Sequence, residues 1–448
     1  MKTVIIGGSA AGIQAAEDLR RLEPGAQITV ISDEPHYPYS RCLISRYVEG
    51  KLPAQALRFR TGRFFEQYNI DGWLGARVER IDPAAGHVEL ADGRQAPYDR
   101  LLLATGSRPF IPNIPGLDLG NVFTFHSMAD AEAIVAAGSE AQRGAESVVV
   151  LGAGFAGLEA AYALARQGKQ VTVVERMGQI LPNQLDWTGS GIIQSDLESS
   201  GVRILLDNSV AAIEGAGVVS SVSLTDRSSL AADMVIVATG TRPNVELAQQ
   251  AGLATQRGIV VDAYLQTSAP GIYAAGDVIE IDDIATGRRG CSATWFNAVL
   301  QGKFAASNMA GRRRIYSDAV GIQNAVQFHH LPAISYGQTL VGAEVAEDFE
   351  VMTLHRGSVY KKLVLKANIL RGMIFVGDIA KAGFYAALIR HRVDLTSVKA
   401  RLLDDDFSYA AVMDQNSFGQ KNPYANTDPA WQSDTFWAQR AQAAGIVR

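Results

Sequence analysis

The sequence predicts an α/β protein: two nested, doubly wound parallel-sheet domains followed by a C-terminal α+β domain. Three observations carry this reading. A strand, a glycine turn and an Ala-rich helix occur twice, as TVIIGGSAAGIQAAEDLRRL from Thr3 and as VVVLGAGFAGLEAAYALARQG from Val148. Each copy runs into a second strand-like segment, QITVIS or VTVVER, completing a strand–helix–strand unit within ~30 residues. Each is echoed downstream by a near-copy, LLLATGSRP at Leu101–Pro109 and VIVATGTRP at Val235–Pro243.

The order of these segments sets the nesting. The first domain occupies residues 1–110, gives way to a second over 111–240, and resumes over 241–320, where GIYAAGDVIE forms another apolar strand ending in Gly276-Asp277. The Pro-rich FIPNIPG, from Phe110, reads as the outgoing linker. From 321 to 403 the texture changes to alternating runs such as YKKLVLKANILRGMIFVG, followed by a helical AGFYAALIRHRV, which reads as a separate α+β domain. The tail, 404–448, is rich in Asn, Asp, Pro and Ser. It also holds Phe407, Tyr409, Phe418, Tyr424, Trp431, Phe436 and Trp437, an aromatic content that a free tail normally lacks, so packing on this chain or a partner is expected.

Composition narrows the function classes. A formal net charge of −5 argues against a sequence-independent grip on nucleic acid. The one dense basic run, Arg312–Arg314, reads as a solvated turn. Two cysteines, Cys42 and Cys291, form no spaced set, which excludes a disulfide framework and an iron–sulfur cluster held by four thiolates of this chain. The sequence opens directly on a strand-like run without a leader pattern and has no run of 18 apolar residues. A cytoplasmic location and no membrane span are therefore expected. His329-His330 has no third ligand at metal spacing, so no metal site is predicted.

The glycine turns carry the chemistry. Gly152, Gly154 and Gly157 satisfy G-x-G-x-x-G between a strand and a helix. The first opens the tight turn, the second admits a pyrophosphate to the backbone, and the third lets helix and strand pack closely. Glu175 closes the next strand, where a carboxylate accepts hydrogen bonds from ribose hydroxyls and repels a 2′-phosphate, favouring NAD(H) over NADP(H). Arg176, directly after it, works against that preference. The first turn departs from the fingerprint: Gly7 and Gly12 are in place, but Ser9 and Ala10 stand between them. Ser9 is small enough to admit a diphosphate. Ser32 falls where the acid belongs, and Asp33 is the candidate for the adenosine ribose of FAD. Asp277, after Gly276, is placed to accept from the ribityl chain of a flavin. The helix from Thr294 to Met309 would aim its positive end at the same group.

Over about residues 1–400 the chain resembles the pyridine nucleotide-disulfide oxidoreductase family. The resemblance rests on GGSAAG, LLLATGSRP, GAGFAGLEAA with VTVVER, VIVATGTRP, and GIYAAGDV followed by NAVLQGKFAASNMAG, in the family's order. It implies FAD and NAD(P)H as cofactors, an FAD-binding, an NAD-binding and an interface domain, and commonly a homodimer. It implies cofactor contacts at Ala104, Thr105, Gly106, Thr239 and Gly240 besides the turn glycines, and at Arg41. Phe155 matches an aromatic gate over the flavin, and Glu159 a carboxylate beside flavin and nicotinamide. Members that reduce disulfides through a cysteine pair carry C-x4-C near residue 42; here YPYSRCLISRYVEG holds Cys42 alone. NADH oxidases, NADH peroxidases and coenzyme A-disulfide reductases use a single cysteine in a similar place, but Ala10 replaces the peroxidase histidine, and Arg41 and Leu43 replace the small residues that usually flank it. Two readings of Cys42 stay open, a redox thiol activated by Arg41 or an apolar filler. The expected function is hydride transfer between nicotinamide and flavin. The first expectation is a flavin subunit that exchanges electrons with an iron–sulfur partner, as the likeness of residues 362–390 to such subunits implies. The alternatives are a stand-alone oxidase or coenzyme A-disulfide-type reductase using Cys42, and a redox-dependent regulator.

Overall fold

The computed structural model describes residues 1–139, 145–317 and 319–413. Lys2–Ile6 pairs in parallel with Gln27–Ser32 on one side and Arg100–Leu103 on the other; Asp71–Leu74 and Ile272–Ala274 complete a five-stranded sheet. A second parallel sheet repeats this order. Ser147–Leu151 lies between Gln170–Val174 and Met234–Val237, with Arg203–Leu205 and Val122–Thr124 at the edges. Residues 4–6 and 148–151 are buried, as continuous apolar runs are when helices cover both faces of a parallel sheet. In each sheet the strand order reverses beside the strand that feeds the glycine turn, which is where open α/β sheets hold ligands.

The repeat extends further than the sequence showed. A three-stranded antiparallel sheet precedes the Arg100–Leu103 strand (Val78–Asp82, His87–Leu90, Gln95–Pro97). Another precedes Met234–Val237 (Val210–Gly215, Val219–Leu224, Ser229–Ala231). The two Arg-Pro segments pair with each other. Ser107–Pro109 and Thr241–Pro243 form an antiparallel ribbon with Arg108 opposite Arg242. Flanking side chains staple the crossing. The Thr105 hydroxyl donates to the Asn244 carbonyl at 2.9 Å, the Asn244 amide donates back to the Thr105 carbonyl at 2.8 Å, and the Thr239 hydroxyl donates to the Phe110 carbonyl at 2.7 Å.

Two helices frame the first turn. Ala10–Leu22 and Trp295–Met309 approach so closely that a Cβ at Gly302 would sit 2.4 Å from the Ala11 carbonyl oxygen. The Gln301 side chain accepts from the Gly276 N–H at 2.7 Å, tying the second helix to the Gly-Asp motif.

The C-terminal part is a five-stranded antiparallel sheet in the order Gln323–Gln327, Pro332–Gly337, Ile369–Val376, Val359–Lys366 and Glu350–Arg356. Ala367 and Asn368, both left-handed at φ 51° and 59°, make the two-residue hairpin that the sequence run KANIL conceals. Helix Ala382–His391 covers this sheet. Its Tyr385 packs with Phe375 and with Phe407, which is fully buried, so the start of the tail belongs to this core. Tyr409 opens the short helix Tyr409–Met413. Phe418, Tyr424, Trp431, Phe436 and Trp437 lie outside the described residues. One carboxylate joins this sheet to the second: Asp186 caps helix Trp187–Ser199 through the Gly189 N–H, accepts from the Tyr360 hydroxyl at 2.7 Å and pairs with Lys362 at 3.0 Å. The basic run is an exposed turn in which Arg313 and Arg314 stack over Tyr264 and Phe304. Among the described residues no helix is long and apolar enough to cross a membrane.

Candidate functional site

Both glycine turns have the shape a diphosphate needs. In each, the last glycine touches the first: a Cβ at Gly12 would lie 2.0 Å from the Gly7 carbonyl oxygen, and one at Gly157 equally close to the Gly152 carbonyl oxygen. Only glycine permits that approach of helix to strand. The middle position behaves differently, since a Cβ at Gly154 would meet nothing within 4 Å. The backbone there is open to a ligand. Helices Ala10–Leu22 and Phe155–Arg166 start at Ser9 and Gly154, and neither cap residue offers a side-chain bond, leaving the first-turn N–H groups to an anion.

The acids beyond the second strands differ between the two copies. Glu175 is buried. One carboxylate oxygen accepts from the Ala153 N–H at 2.8 Å and the other from the Met177 N–H at 2.9 Å, so it braces the glycine turn it was expected only to complement. Register places Ser32 at the matching position of the first sheet. Asp33 stands exposed beside it. The sequence reading passed over Glu34, which accepts from the Tyr39 hydroxyl at 2.6 Å and pairs with Arg41. Arg41 also donates to the His126 carbonyl at 2.9 Å, and Tyr39 accepts from the Met128 N–H at 2.9 Å. This network joins the end of the first sheet's second strand to the segment that enters helix Met128–Ser139. Burial and Arg41 together hold His126 below its ordinary pKa.

Cys42, Glu159 and Asp277 come together from three separate motifs. Cys42 is open to solvent as a residue. The protein volume around its thiol nonetheless pushes the pKa up, and the charges of Glu159 and Asp277 add to this. Burial lifts Glu159 to about 7, opposed by the Ser45 hydroxyl and the Arg46 charge. Burial likewise raises Asp277, which accepts from the Ser107 hydroxyl at 3.3 Å and feels Arg41. Arg41, which the sequence offered as the activator of Cys42, is committed to Glu34 and the His126 carbonyl. Phe155 opens its helix at the edge of the core, against which Leu43 and Tyr47 also pack. Ala104 is buried, and Thr105 and Thr239 donate their hydroxyl protons across the ribbon, leaving only their oxygens to accept. Gly106 and Gly240, both at positive φ, turn the chain there. Cys291, the other free thiol, is raised to about 11 by burial beside Glu280.

Residues 1–302 match the family described as pyridine nucleotide-disulphide oxidoreductase. The chain belongs to that family. The assimilatory nitrate reductase electron transfer subunit of Bacillus subtilis (strain 168) is 30% identical over 413 residues, covering 91% of this chain and 51% of that protein. The chain thus spans about half the length of this relative. The NADH-dependent phenylglyoxylate dehydrogenase subunit epsilon of Aromatoleum evansii is 30% identical over 406 residues, 90% of this chain and 94% of that one. The NAD-dependent persulfide reductase from A. fulgidus superposes with a TM-score of 0.83 at 29% identity, covering 91% of this chain and 80% of its own. As a pyridine nucleotide-disulphide oxidoreductase the chain uses FAD and NAD(H), and its residues fit them. Two helix starts without side-chain caps face two glycine turns, the second open at Gly154 and beside Glu175, the first followed by Ser32 with Asp33 and Glu34 just beyond it.

Proposed function

We propose that this chain is the NADH-oxidising flavin module of an electron-transfer system and passes electrons to an iron–sulfur partner. The surroundings of Cys42 carry the reading. A cysteine that attacks a disulfide or peroxide works as a thiolate. Burial above all, and then the charges of Glu159 and Asp277, oppose the ionisation of Cys42, and the nearest guanidinium in sequence is bound elsewhere. The names of the Bacillus subtilis and Aromatoleum evansii relatives, an electron transfer subunit and a dehydrogenase subunit, point the same way. So do two free cysteines, which suit a reducing, cytoplasmic compartment.

FAD held by this chain would supply the hydride and single-electron chemistry that NADH and an iron–sulfur partner require. The chain's own residues do the rest. Residues 1–110 and 241–320 form the FAD unit, in which Gly7–Gly12, Arg41 and Asp33 or Glu34 hold the adenosine diphosphate and Asp277 the ribityl chain. Residues 111–240 form the NAD unit, in which Gly152–Gly157 and Glu175 hold the pyrophosphate and ribose. Glu159, near neutral in its pKa, holds or releases a proton between the two. Residues 321–403 form the surface for a second copy or the partner. A second reading, a stand-alone oxidase or disulfide-type reductase, is favoured by the solvent accessibility of Cys42 and by the likeness to the persulfide reductase.

Anaerobic NADH titration followed by flavin absorbance, with C42S beside the wild type, separates the two. C42S should keep NADH-dependent dye reduction within about twofold. Bleached flavin should reoxidise slowly in air and quickly with an iron–sulfur protein. A loss of about a hundredfold or more in C42S would instead make the thiol a participant.

A further inference from the structure

Trp187 is the most exposed large apolar side chain among the described residues, at 69%, and Met177 is 46% exposed. Neither belongs to a core, yet both stand beside the second glycine turn. Gly178 lies under the indole: a Cβ there would be 2.7 Å from Trp187 Cη2 and 3.3 Å from Asp207 Oδ1. The Asp207 N–H donates to the Met177 carbonyl at 3.2 Å and the Asn208 N–H to the Glu175 carbonyl at 3.1 Å, fixing Asp207 next to the same segment. An indole, a thioether and an exposed carboxylate therefore gather around the residues that directly follow Glu175. In a βαβ nucleotide unit the acid at that strand end holds the adenosine ribose, so the space just beyond it receives the base.

The position of Trp187 is held in advance. Asp186 caps its helix while bound to Tyr360 and Lys362 of the antiparallel sheet. An indole left 69% exposed to water is unfavourable unless something flat and apolar covers it. We propose that Trp187, flanked by Met177, is the platform on which the adenine of NADH stacks, and that Asp207 accepts a hydrogen bond from the adenine amino group. This rests on the NADH reading above. It adds a positioning role that the glycine turn and Glu175 do not supply, because those groups touch only the pyrophosphate and ribose.

The test uses the flavin-loaded full chain and two probes. Calorimetric titration with ADP-ribose, which lacks nicotinamide, reads the adenosine half alone. W187A should bind it about tenfold more weakly, in the range of base stacking on an aromatic ring, and W187F should stay close to wild type. In steady-state NADH oxidation with ferricyanide, W187A should raise KM by a similar factor and leave kcat within about twofold. D207A should shrink the preference for NADH over its hypoxanthine analogue, which lacks the amino group. Unchanged ADP-ribose affinity in W187A, or no ADP-ribose binding by the wild type, overturns the platform. So does an effect of W187A confined to oligomeric state or to binding of another protein. A wild type that binds ADP-ribose through Trp187 but does not oxidise NADH overturns the donor reading alone.

Discussion

Replacing Glu159 with Gln gives a direct reading of the electrostatics at the centre of the site. Burial lifts this carboxyl from 4.5 to about 7. At ~1.36 kcal/mol per pH unit, that difference corresponds to ~3 kcal/mol. The side chain is only half-buried, so screening should reduce the effect to ~2 kcal/mol. The sign follows from which state binds the proton more tightly. The folded chain holds it up to about pH 7, whereas the unfolded chain releases it near 4.5. The stabilising contribution is thus fully present below the unfolded value and is lost as pH rises through the folded one. Urea unfolding of the nucleotide-free chain, followed by tryptophan emission from pH 4.5 to 8.5, should show wild type losing ~2 kcal/mol relative to E159Q across that window. Infrared difference spectra, wild type minus E159Q, should show a protonated carboxyl band that disappears around neutrality. A gap between the two proteins that stays constant within ~0.5 kcal/mol, with the carboxyl already ionised at pH 5, would refute the assignment of desolvation as the dominant cause.

Two further outcomes test the frame around the site. D186A removes a helix cap and leaves Lys362, 11% exposed, without its carboxylate; a loss of ~3 kcal/mol in urea unfolding is expected. D186N keeps the cap and should lose roughly 1 kcal/mol less; a D186A loss below ~1 kcal/mol would mean that the joint to the antiparallel sheet contributes little. E175Q removes the charge that faces a 2′-phosphate while exposed Arg176 remains, so the kcat/KM ratio of NADPH to NADH should rise about tenfold or more. An unchanged ratio would show that Glu175 acts only as a brace for the glycine turn.

What the sequence made legible follows from periodicity and from side chains with a single physical use. Apolar runs beside glycine turns specify parallel strands, because both faces must be covered and the turn must admit backbone. Those features placed Gly152, Gly154, Gly157 and Glu175 where they lie. Long-range pairing was hidden. Nothing local in SRP or TRP announces that Ser107–Pro109 and Thr241–Pro243 zip together, since the pairing exists only once both sheets have formed. The Ala367-Asn368 hairpin was masked because alanine rarely takes a left-handed conformation, and a strand on each side obliges it here. Glu34 was passed over in favour of Asp33 because distance from the strand end alone cannot say which acid finds Tyr39 and Arg41. Trp187 carried no signal at all. A lone aromatic at a helix start reads as core, and only its exposure over Gly178 marks it.

The two βαβ units also differ in how they use the acid beyond the second strand. In the second, the acid lies at the strand end itself, and both its oxygens bind the backbone of the turn. Glu175 thereby ties the glycine turn to the end of the second strand. In the first, Ser32 holds that position, Asp33 stands exposed beside it, and Glu34 pairs with Arg41 and Tyr39, which reach His126 and Met128. The end of that strand is thereby tied to the segment that leads into helix Met128–Ser139. Arg41 spends its guanidinium on Glu34 and the His126 carbonyl, so the charge offered as the activator of Cys42 is already paired. Electron transfer without a thiol step, as proposed, draws on that pairing and on the burial that pushes the Cys42 thiol up.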